Sequence, residues 1–235
     1  MMLPCHAVIV TAAGSSRRFN ESSDSASQVK KEFLTIGNEP ILALAIRPFL
    51  SVPGLGVLAV TYRDGDLDEV KAIVCGMSGL PEGVDVLLVK GGATRQESVF
   101  NALKALSECK KSSEIALVSI HDGARPFVTS DLVNACLEAA DKHGGACPCI
   151  RITDTIVKVG EDGLLCGRLS RDGACTVQTP QAFRFPDIYS AHLDAEPGKS
   201  YTDDTEIFMD WGGKVAFVQG DSANRKITYS TDLRV

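Results

Sequence analysis

Apolar and polar positions follow two different periods along this chain. Short, nearly continuous apolar runs predict buried strands, and longer stretches with apolar positions three and four residues apart predict amphipathic helices. The predicted strands cover residues 6–11, 56–62, 84–89, 115–120, 146–152 and 215–218. The predicted helices cover residues 40–49, 67–74, 94–106, 130–143 and 204–211. Pro40 suits a helix start, and the spacing of Thr94 and Glu97 is that of a capping box.

Strands that alternate with helices predict an α/β fold, with a Rossmann-like, mostly parallel sheet and helices on both of its faces. Ligands of such sheets bind at the carboxyl ends of the strands. Three loops follow predicted strands, with the sequences "TAAGSSRRF", "KGGATRQ" and "HDGARPF". We therefore expect these three loops to meet at one edge of the sheet.

Residues 153–185 depart from the alternation of strands and helices. They contain short β-like pieces and glycine turns, and their apolar pattern is too sparse for a core of their own. We interpret this stretch as a β-arm that projects from the sheet and packs on a second copy of the chain. Residues 1–235 then form a single domain, which is in keeping with the length of 235 residues.

Composition and charge exclude several classes of protein. The chain is 44% hydrophobic and has a net charge of -6, which argues against a nucleic-acid-binding or membrane-surface protein. No apolar run approaches the about 20 residues of a membrane span, and no basic segment precedes the first apolar run. We expect a cytoplasmic protein. Its eight cysteines lack paired zinc-site spacing, so we interpret them as core thiols.

The loop after the first strand combines a glycine with positive charge. Gly14 allows a ligand to approach the backbone closely. Four cationic residues flank a serine-rich segment at 20–27: Arg17, Arg18, Lys30 and Lys31. Because arginine and lysine bind phosphate oxygens well, the pattern favours polyphosphate binding over a merely solvated basic loop. We expect residues 20–27 to form a mobile lid over the phosphates.

The other two loops carry a carboxylate and a glycine turn. Asp122 stands at a strand end, where a carboxylate can hold Mg²⁺, although a turn aspartate or helix cap is the alternative. Gly92, Arg95 and Ser98 surround a predicted helix start, where free backbone N–H groups and a hydroxyl suit a base or sugar. A plain turn before a helix is the alternative for these residues.

Taken together, these fragments resemble the 2-C-methyl-D-erythritol 4-phosphate cytidylyltransferase family, whose members are sugar-phosphate cytidylyltransferases of the non-mevalonate isoprenoid pathway. The resemblance runs in order along nearly the whole chain. It rests on "AAGSSRRF", "KKEFLTIGNEPIL", "GGATRQESVFNAL", "HDGARPFV", "DTIVKV", "SRDG", "QTPQAF", "YTDD" and "NRKITYSTDL".

The resemblance implies a role for each matching residue. The nucleotide CTP would be bound by Ala12, Ala13, Gly14, Gly92 and Ser98. Arg18 and Lys31 would stabilise the transition state, while Arg171 and Lys226 would position the acceptor phosphate. Contacts to the polyol phosphate would come from Arg125, Thr155, Thr179 and Thr202. Asp122 would bind Mg²⁺, and the homodimer would share its active sites through the arm.

The chain departs from the family pattern at several positions. Ser16 stands where a second glycine is usual, and Ala93 and Ala223 stand where acidic residues often occur. Because Ala223 has no carboxylate, the residue that would supply a second carboxylate to the metal stays unassigned. Two other readings remain: a ribitol 5-phosphate cytidylyltransferase, which shares "QTPQ", and a catalytically inactive nucleotide-binding paralogue. An NAD-dependent dehydrogenase is disfavoured because the chain has no dinucleotide fingerprint.

Overall fold

The computed structural model describes residues 3–22, 29–196 and 198–233. The strands are β1 (His6–Ala12), β2 (Thr35–Ile36), β3 (Glu39–Pro40), β4 (Leu55–Tyr62), β5 (Asp85–Lys90), β6 (Leu117–Asp122), β7 (Gly145–Arg151), β8 (Ile156–Val159), β9 (Leu165–Leu169), β10 (Cys175–Val177), β11 (Gln181–Arg184) and β12 (Val215–Gln219). The helices are α1 (Arg17–Glu21), α2 (Ile41–Leu50), α3 (Leu67–Gly76), α4 (Arg95–Glu108), α5 (Ser130–His143), α6 (Phe185–Leu193) and α7 (Asp204–Asp210).

The described residues build one eight-stranded sheet in the order β10-β7-β11-β6-β1-β4-β5, with β12 paired to β7. The pairs β1–β4, β1–β6, β4–β5 and β7–β12 are parallel, whereas β10 and β11 run antiparallel to their neighbours. The predicted α/β fold with a mostly parallel sheet is therefore confirmed. Each predicted strand and helix is present, with ends within two residues of the prediction for the strands.

Helices cover both faces of the sheet, which explains why the strands are apolar throughout. In β1, Val8 and Val10 pack into the core beneath α2 and α5, while Ala7 and Ile9 pack into the core beneath α4 and α6. All four side chains are fully buried. A strand that is buried on both faces carries apolar residues at successive positions instead of alternating apolar and polar ones, and the sequence of β1 shows this continuous apolar run.

The projecting arm is shorter than the predicted range of 153–185. Within that range only β8 and β9 form a hairpin that is separate from the main sheet. The prediction was wrong for residues 175–184, because β10 pairs with β7 and β11 lies between β6 and β7 in the main sheet. Ala182 and Phe183 of β11 are fully buried there. The apolar residues of β11 thus belong to the core rather than to the arm.

Helix α6 was not predicted. The signal was present in the sequence, because Phe185, Ile188 and Ala191 follow helical spacing and Pro186 lies in the first turn. All three apolar residues are buried in the core beneath α4. Across the described residues, no helix combines the length and the apolar character needed to cross a bilayer.

The expectation that the cysteines are core thiols holds for some of them. Cys136, Cys147 and Cys149 are buried, whereas Cys75 and Cys166 are exposed. The remaining cysteines are half-buried. Burial raises the pKa of the Cys136 thiol to about 12, so that residue behaves as a small apolar core side chain.

Two buried histidines should make the stability of the fold depend on pH. Burial lowers the pKa of both His6 and His121 to about 4. The unfolded chain therefore binds protons below about pH 6.5 that the folded chain does not bind until about pH 4, so stability falls as pH falls through this window. We expect each histidine to remove about 2 kcal/mol between pH 7 and pH 5, measured by urea unfolding.

The variant His6→Asn tests this assignment. It changes the absolute stability, but the loss between pH 7 and pH 5 should be smaller than in the unaltered chain by about the contribution of one histidine. An identical loss in both proteins would show that His6 is not the titrating group.

Candidate active site

The three predicted loops meet at the carboxyl ends of β1, β5 and β6, where they surround a cleft of about 660 Å³. A fourth segment, after β12, closes one side with Lys226 and Thr228. The predicted site residues that line the cleft are Ala13, Gly14, Arg18, Lys31, Gly92, Ser98, Asp122 and Lys226. The expectation that the loops converge on one edge is confirmed.

Ser16 gives the first loop its shape. Its backbone is left-handed, with φ of 54°, and it is the only residue other than glycine with positive φ in the described part of the chain. Glycine adopts this conformation without cost. In Ser16 the buried hydroxyl donates to Glu32 Oε2 at 3.1 Å and accepts from the Lys31 N–H at 3.2 Å. These bonds hold in place a conformation that serine otherwise disfavours.

The two adjacent lysines of this region are both buried and point to different partners. Lys31 Nζ donates to the Ile227 carbonyl at 2.6 Å, on the side of Asp122 and Lys226. Lys30 Nζ donates to the Gly14 carbonyl instead. Burial lowers the pKa of each ammonium group. Lys31 lines the cleft, whereas Lys30 supports the loop from behind.

Asp122 lies at the floor of the cleft among positive charges. Lys226 Nζ is 2.8 Å from Oδ2, Arg95 Nε is 3.6 Å from Oδ1 and Arg125 Nε is 3.7 Å from Oδ2. Burial alone would raise the pKa of Asp122, but Lys226 and the two arginines outweigh burial and hold this pKa well below its usual range. Asp122 is therefore ionised at neutral pH.

Arg95 continues this network away from the cleft. Its Nη1 is 2.8 Å from Oδ2 of the fully buried Asp204, whose Oδ1 is 3.2 Å from His192 Nε2. Burial opposes the charge on Arg95, but Asp204 and Asp122 reverse that effect and raise its pKa. Sequence reasoning assigned no role to Asp204 or His192 in this network, because the ion pair with Arg95 joins residues more than a hundred positions apart.

The turn before α4 is fixed by its own hydrogen bonds. Ser98 Oγ accepts from the Gly92 N–H at 3.0 Å and donates to the Thr94 carbonyl at 2.8 Å. Thr94 caps the helix by accepting from the Glu97 N–H at 3.1 Å, which confirms the capping-box prediction for Thr94. At Gly91, a Cβ atom would lie 2.4 Å from the Ala13 Cβ, so this glycine allows the turn to contact the first loop.

The similarities to known proteins agree with this geometry. The model of the family described as "IspD: 2-C-methyl-D-erythritol 4-phosphate cytidylyltransferase" matches residues 6–235. The chain belongs to this family. Relatives include a bifunctional enzyme IspD/IspF of Rhodobacter capsulatus, which is 40% identical over 97% of this chain and 54% of the relative. The chain spans about half the length of such bifunctional relatives.

Solved structures of the family show the same fold. The 2-C-methyl-D-erythritol 4-phosphate cytidylyltransferase of Thermus thermophilus has a TM-score of 0.73 and 30% identity, covering 99% of this chain and 96% of that chain. The 4-diphosphocytidyl-2C-methyl-D-erythritol synthase of Anaerococcus prevotii has a TM-score of 0.79 and 27% identity, covering 98% and 93%.

Several residues that match the cytidylyltransferase pattern lie outside the cleft of their own chain. Arg125 and Thr179 support Asp122 from behind, because Arg125 also donates to the Asn224 carbonyl and Thr179 Oγ1 accepts from the Asp122 N–H at 3.1 Å. Thr202 is exposed and bonds to Glu206. Arg171 and Thr155 flank the hairpin of β8 and β9, both exposed, and Arg171 donates to the Thr153 carbonyl.

Ala12 and the described part of the predicted lid also lie outside the lining of the cleft. Ala12 ends β1 as a buried residue whose N–H donates to Thr61 Oγ1 at 3.1 Å. The predicted lid at 20–27 lies for the most part outside the described residues, since 23–28 are not among them.

The left-handed backbone of Ser16 generates a stability prediction. Ser16→Ala removes both hydrogen bonds that hold the left-handed backbone in place, so we expect a loss of about 1–3 kcal/mol in urea unfolding. Ser16→Gly should lose less, because glycine avoids the cost of about 1 kcal/mol of that conformation. In both variants the Lys31 amide should exchange hydrogen faster. Equal stability of Ser16→Ala and the unaltered chain would contradict this account.

Proposed function

We propose that this chain transfers the cytidylyl group of CTP to 2-C-methyl-D-erythritol 4-phosphate and releases pyrophosphate. The observation that carries the proposal is the convergence of Lys31 and Lys226 with Asp122 at the floor of the cleft. Phosphoryl groups in transfer carry negative charge, and a dense group of fixed cations stabilises it. Membership of the cytidylyltransferase family supports the choice of nucleotide and acceptor.

The chemistry needs no acid or base from the protein. An oxygen of the acceptor phosphate attacks the α-phosphorus of CTP, and the bond from that phosphorus to the bridging oxygen of the β-phosphate breaks. The acceptor oxygen is already ionised, so no proton has to move. Arg18 on the first loop, together with Lys31 and the neighbouring Lys226, would bind the phosphates, and the rigid turn at Gly92 and Ser98 would hold the base. Catalysis then rests on positioning and charge.

Asp122 suits a divalent cation that is shared with the nucleotide. Mg²⁺ is usually held by one or two carboxylates together with phosphate oxygens. Among the described residues no group of three or more His, Cys, Asp or Glu side chains converges, so the remaining ligands would come mainly from the phosphates and water. Lys226 Nζ is 2.8 Å from Asp122 Oδ2, and Lys226 would move away from that oxygen when the cation binds. The bound cation would neutralise charge on the phosphates.

We further propose that the β8–β9 hairpin completes the site of a second copy. The hairpin exposes Val159, Leu164 and Leu165 by 65%, 67% and 71%, which is costly unless another surface covers them. Arg171 and Thr155, beside the hairpin, do not line the cleft of their own chain. A homodimer in which arms are exchanged would bury the apolar side chains and bring both residues to the partner's acceptor site.

The function is tested by measuring pyrophosphate release from CTP with 2-C-methyl-D-erythritol 4-phosphate and, separately, with ribitol 5-phosphate. We expect faster release with the erythritol phosphate, and faster release with CTP than with UTP. Preference for ribitol 5-phosphate would favour the sister enzyme. No release with either acceptor would favour the inactive paralogue. Asp122→Asn should reduce kcat at least about 100-fold, and full activity of this variant in excess Mg²⁺ would contradict the metal assignment.

The shared site is tested by subunit exchange between Arg18→Ala and Arg171→Ala, each inactive alone. In a mixed dimer one site carries both lesions and the other carries neither. With random pairing, half of the dimers are mixed, so roughly a quarter of the unaltered activity should return.

A matched control mixes Arg18→Ala with Lys31→Ala. Both residues line the same cleft, so every site in a mixed dimer keeps one lesion and no activity should return. Failure of the first mixture to regain activity would show that each site is built from one chain.

A further inference from the structure

Arg63 is a cation of the cleft that has no part in the function described so far. It directly follows β4 and lines the cleft. The Gly91 N–H donates to the Tyr62 carbonyl at 2.8 Å, which places Arg63 beside the Gly91–Gly92 turn. Its side chain is 46% exposed, so it faces both the cleft and solvent.

A single carboxylate links Arg63 to the first loop. Arg63 Nη2 is 3.2 Å from Asp66 Oδ1, and Lys30 Nζ is 3.4 Å from Asp66 Oδ2. Lys30 also donates to the Gly14 carbonyl. Arg63 is thereby held in fixed relation to the backbone of the loop that would bind the phosphates.

The charges of this group do not cancel. The charges of Asp66 and Glu32 both act on Lys30, whose side chain is only 4% exposed, and Glu32 acts on Lys31 as well, so the two lysines compensate the two carboxylates. The neighbouring Asp64 is engaged by Lys90 at 3.1 Å. One positive charge therefore remains on Arg63 at the wall of the cleft, on a side chain that its ion pair with Asp66 keeps in place. A planar guanidinium held in this way matches phosphate oxygens well.

We propose that Arg63 is a further nucleotide-binding residue, oriented by Asp66 so that its guanidinium binds a phosphate of CTP. Lys30 is the positioning residue that ties the same carboxylate to the Gly14 loop. The inference rests on the proposed function, because it takes CTP as the nucleotide. It adds a phosphate contact from the β4 side of the cleft, opposite the side from which Lys31 and Lys226 act.

The test compares Arg63→Gln with the unaltered chain. We expect Kd and KM for CTP to rise about 5- to 20-fold, with KM for the acceptor and kcat changed less than about twofold. Because CTP and UTP share their phosphates, the ratio of kcat/KM for CTP to that for UTP should not change. Arg63→Lys should recover part of the affinity, since it restores the charge without the planar fork.

Arg47→Gln is the matched control. Arg47 is 45% exposed and pairs with Glu39, but it does not line the cleft, so its loss should leave CTP binding unchanged. Unaltered CTP affinity in Arg63→Gln would overturn the inference alone. Loss of the preference for CTP over UTP would overturn the phosphate assignment, because it would indicate that Arg63 contacts the base instead of a phosphate. Failure of the unaltered chain to bind CTP would overturn the proposed function as well.

Discussion

The site depends on one buried carboxylate. Asp122 ends β6, and cations from three other parts of the chain reach it: Arg95 at the start of α4, Arg125 before α5, and Lys226 after β12. A buried charge is tolerated only when it is paired and hydrogen-bonded, so loss of any one cation leaves the rest out of balance. Such a network adds little net stability, but it fixes where positive charge lies in the cleft. Fixed positive charge of this kind suits the phosphate groups of the proposed nucleotide.

Much of the fold was predictable because strands that are buried on both faces are apolar along nearly their whole length. The continuous apolar runs of β1, β4 and β6 indicated a covered parallel sheet, and parallel strands bring their carboxyl ends to one edge. That rule alone placed Gly14, Gly92 and Asp122 around one cleft. It depends on local sequence and on strand direction, and both can be read without knowledge of distant contacts.

The features that were not predicted depend on contacts between residues that are far apart in the sequence. Strand β11 pairs with β6 on one side and β7 on the other, and nothing in "QAFR" itself specifies that position. The pairing of Arg95 with Asp204 joins residues far apart in the chain, so no spacing rule could indicate it. The left-handed backbone of Ser16 likewise depends on Glu32 and Lys31, which lie beyond the local window.

The segment after β12 has a consequence for biosynthesis. The Ile227 carbonyl accepts from Lys31, the Ile227 N–H donates to the Ala124 carbonyl at 2.8 Å, and Lys226 contacts Asp122. The first loop and the floor of the cleft are synthesised long before these partners. A nascent chain on the ribosome could form most of the parallel sheet early, since domains begin to fold from their amino-terminal part during synthesis. Its cleft would nevertheless lack one wall until residue 227 had left the exit tunnel, so a ligand that needs this wall would bind only after the segment behind β12 had been synthesised and released from the tunnel.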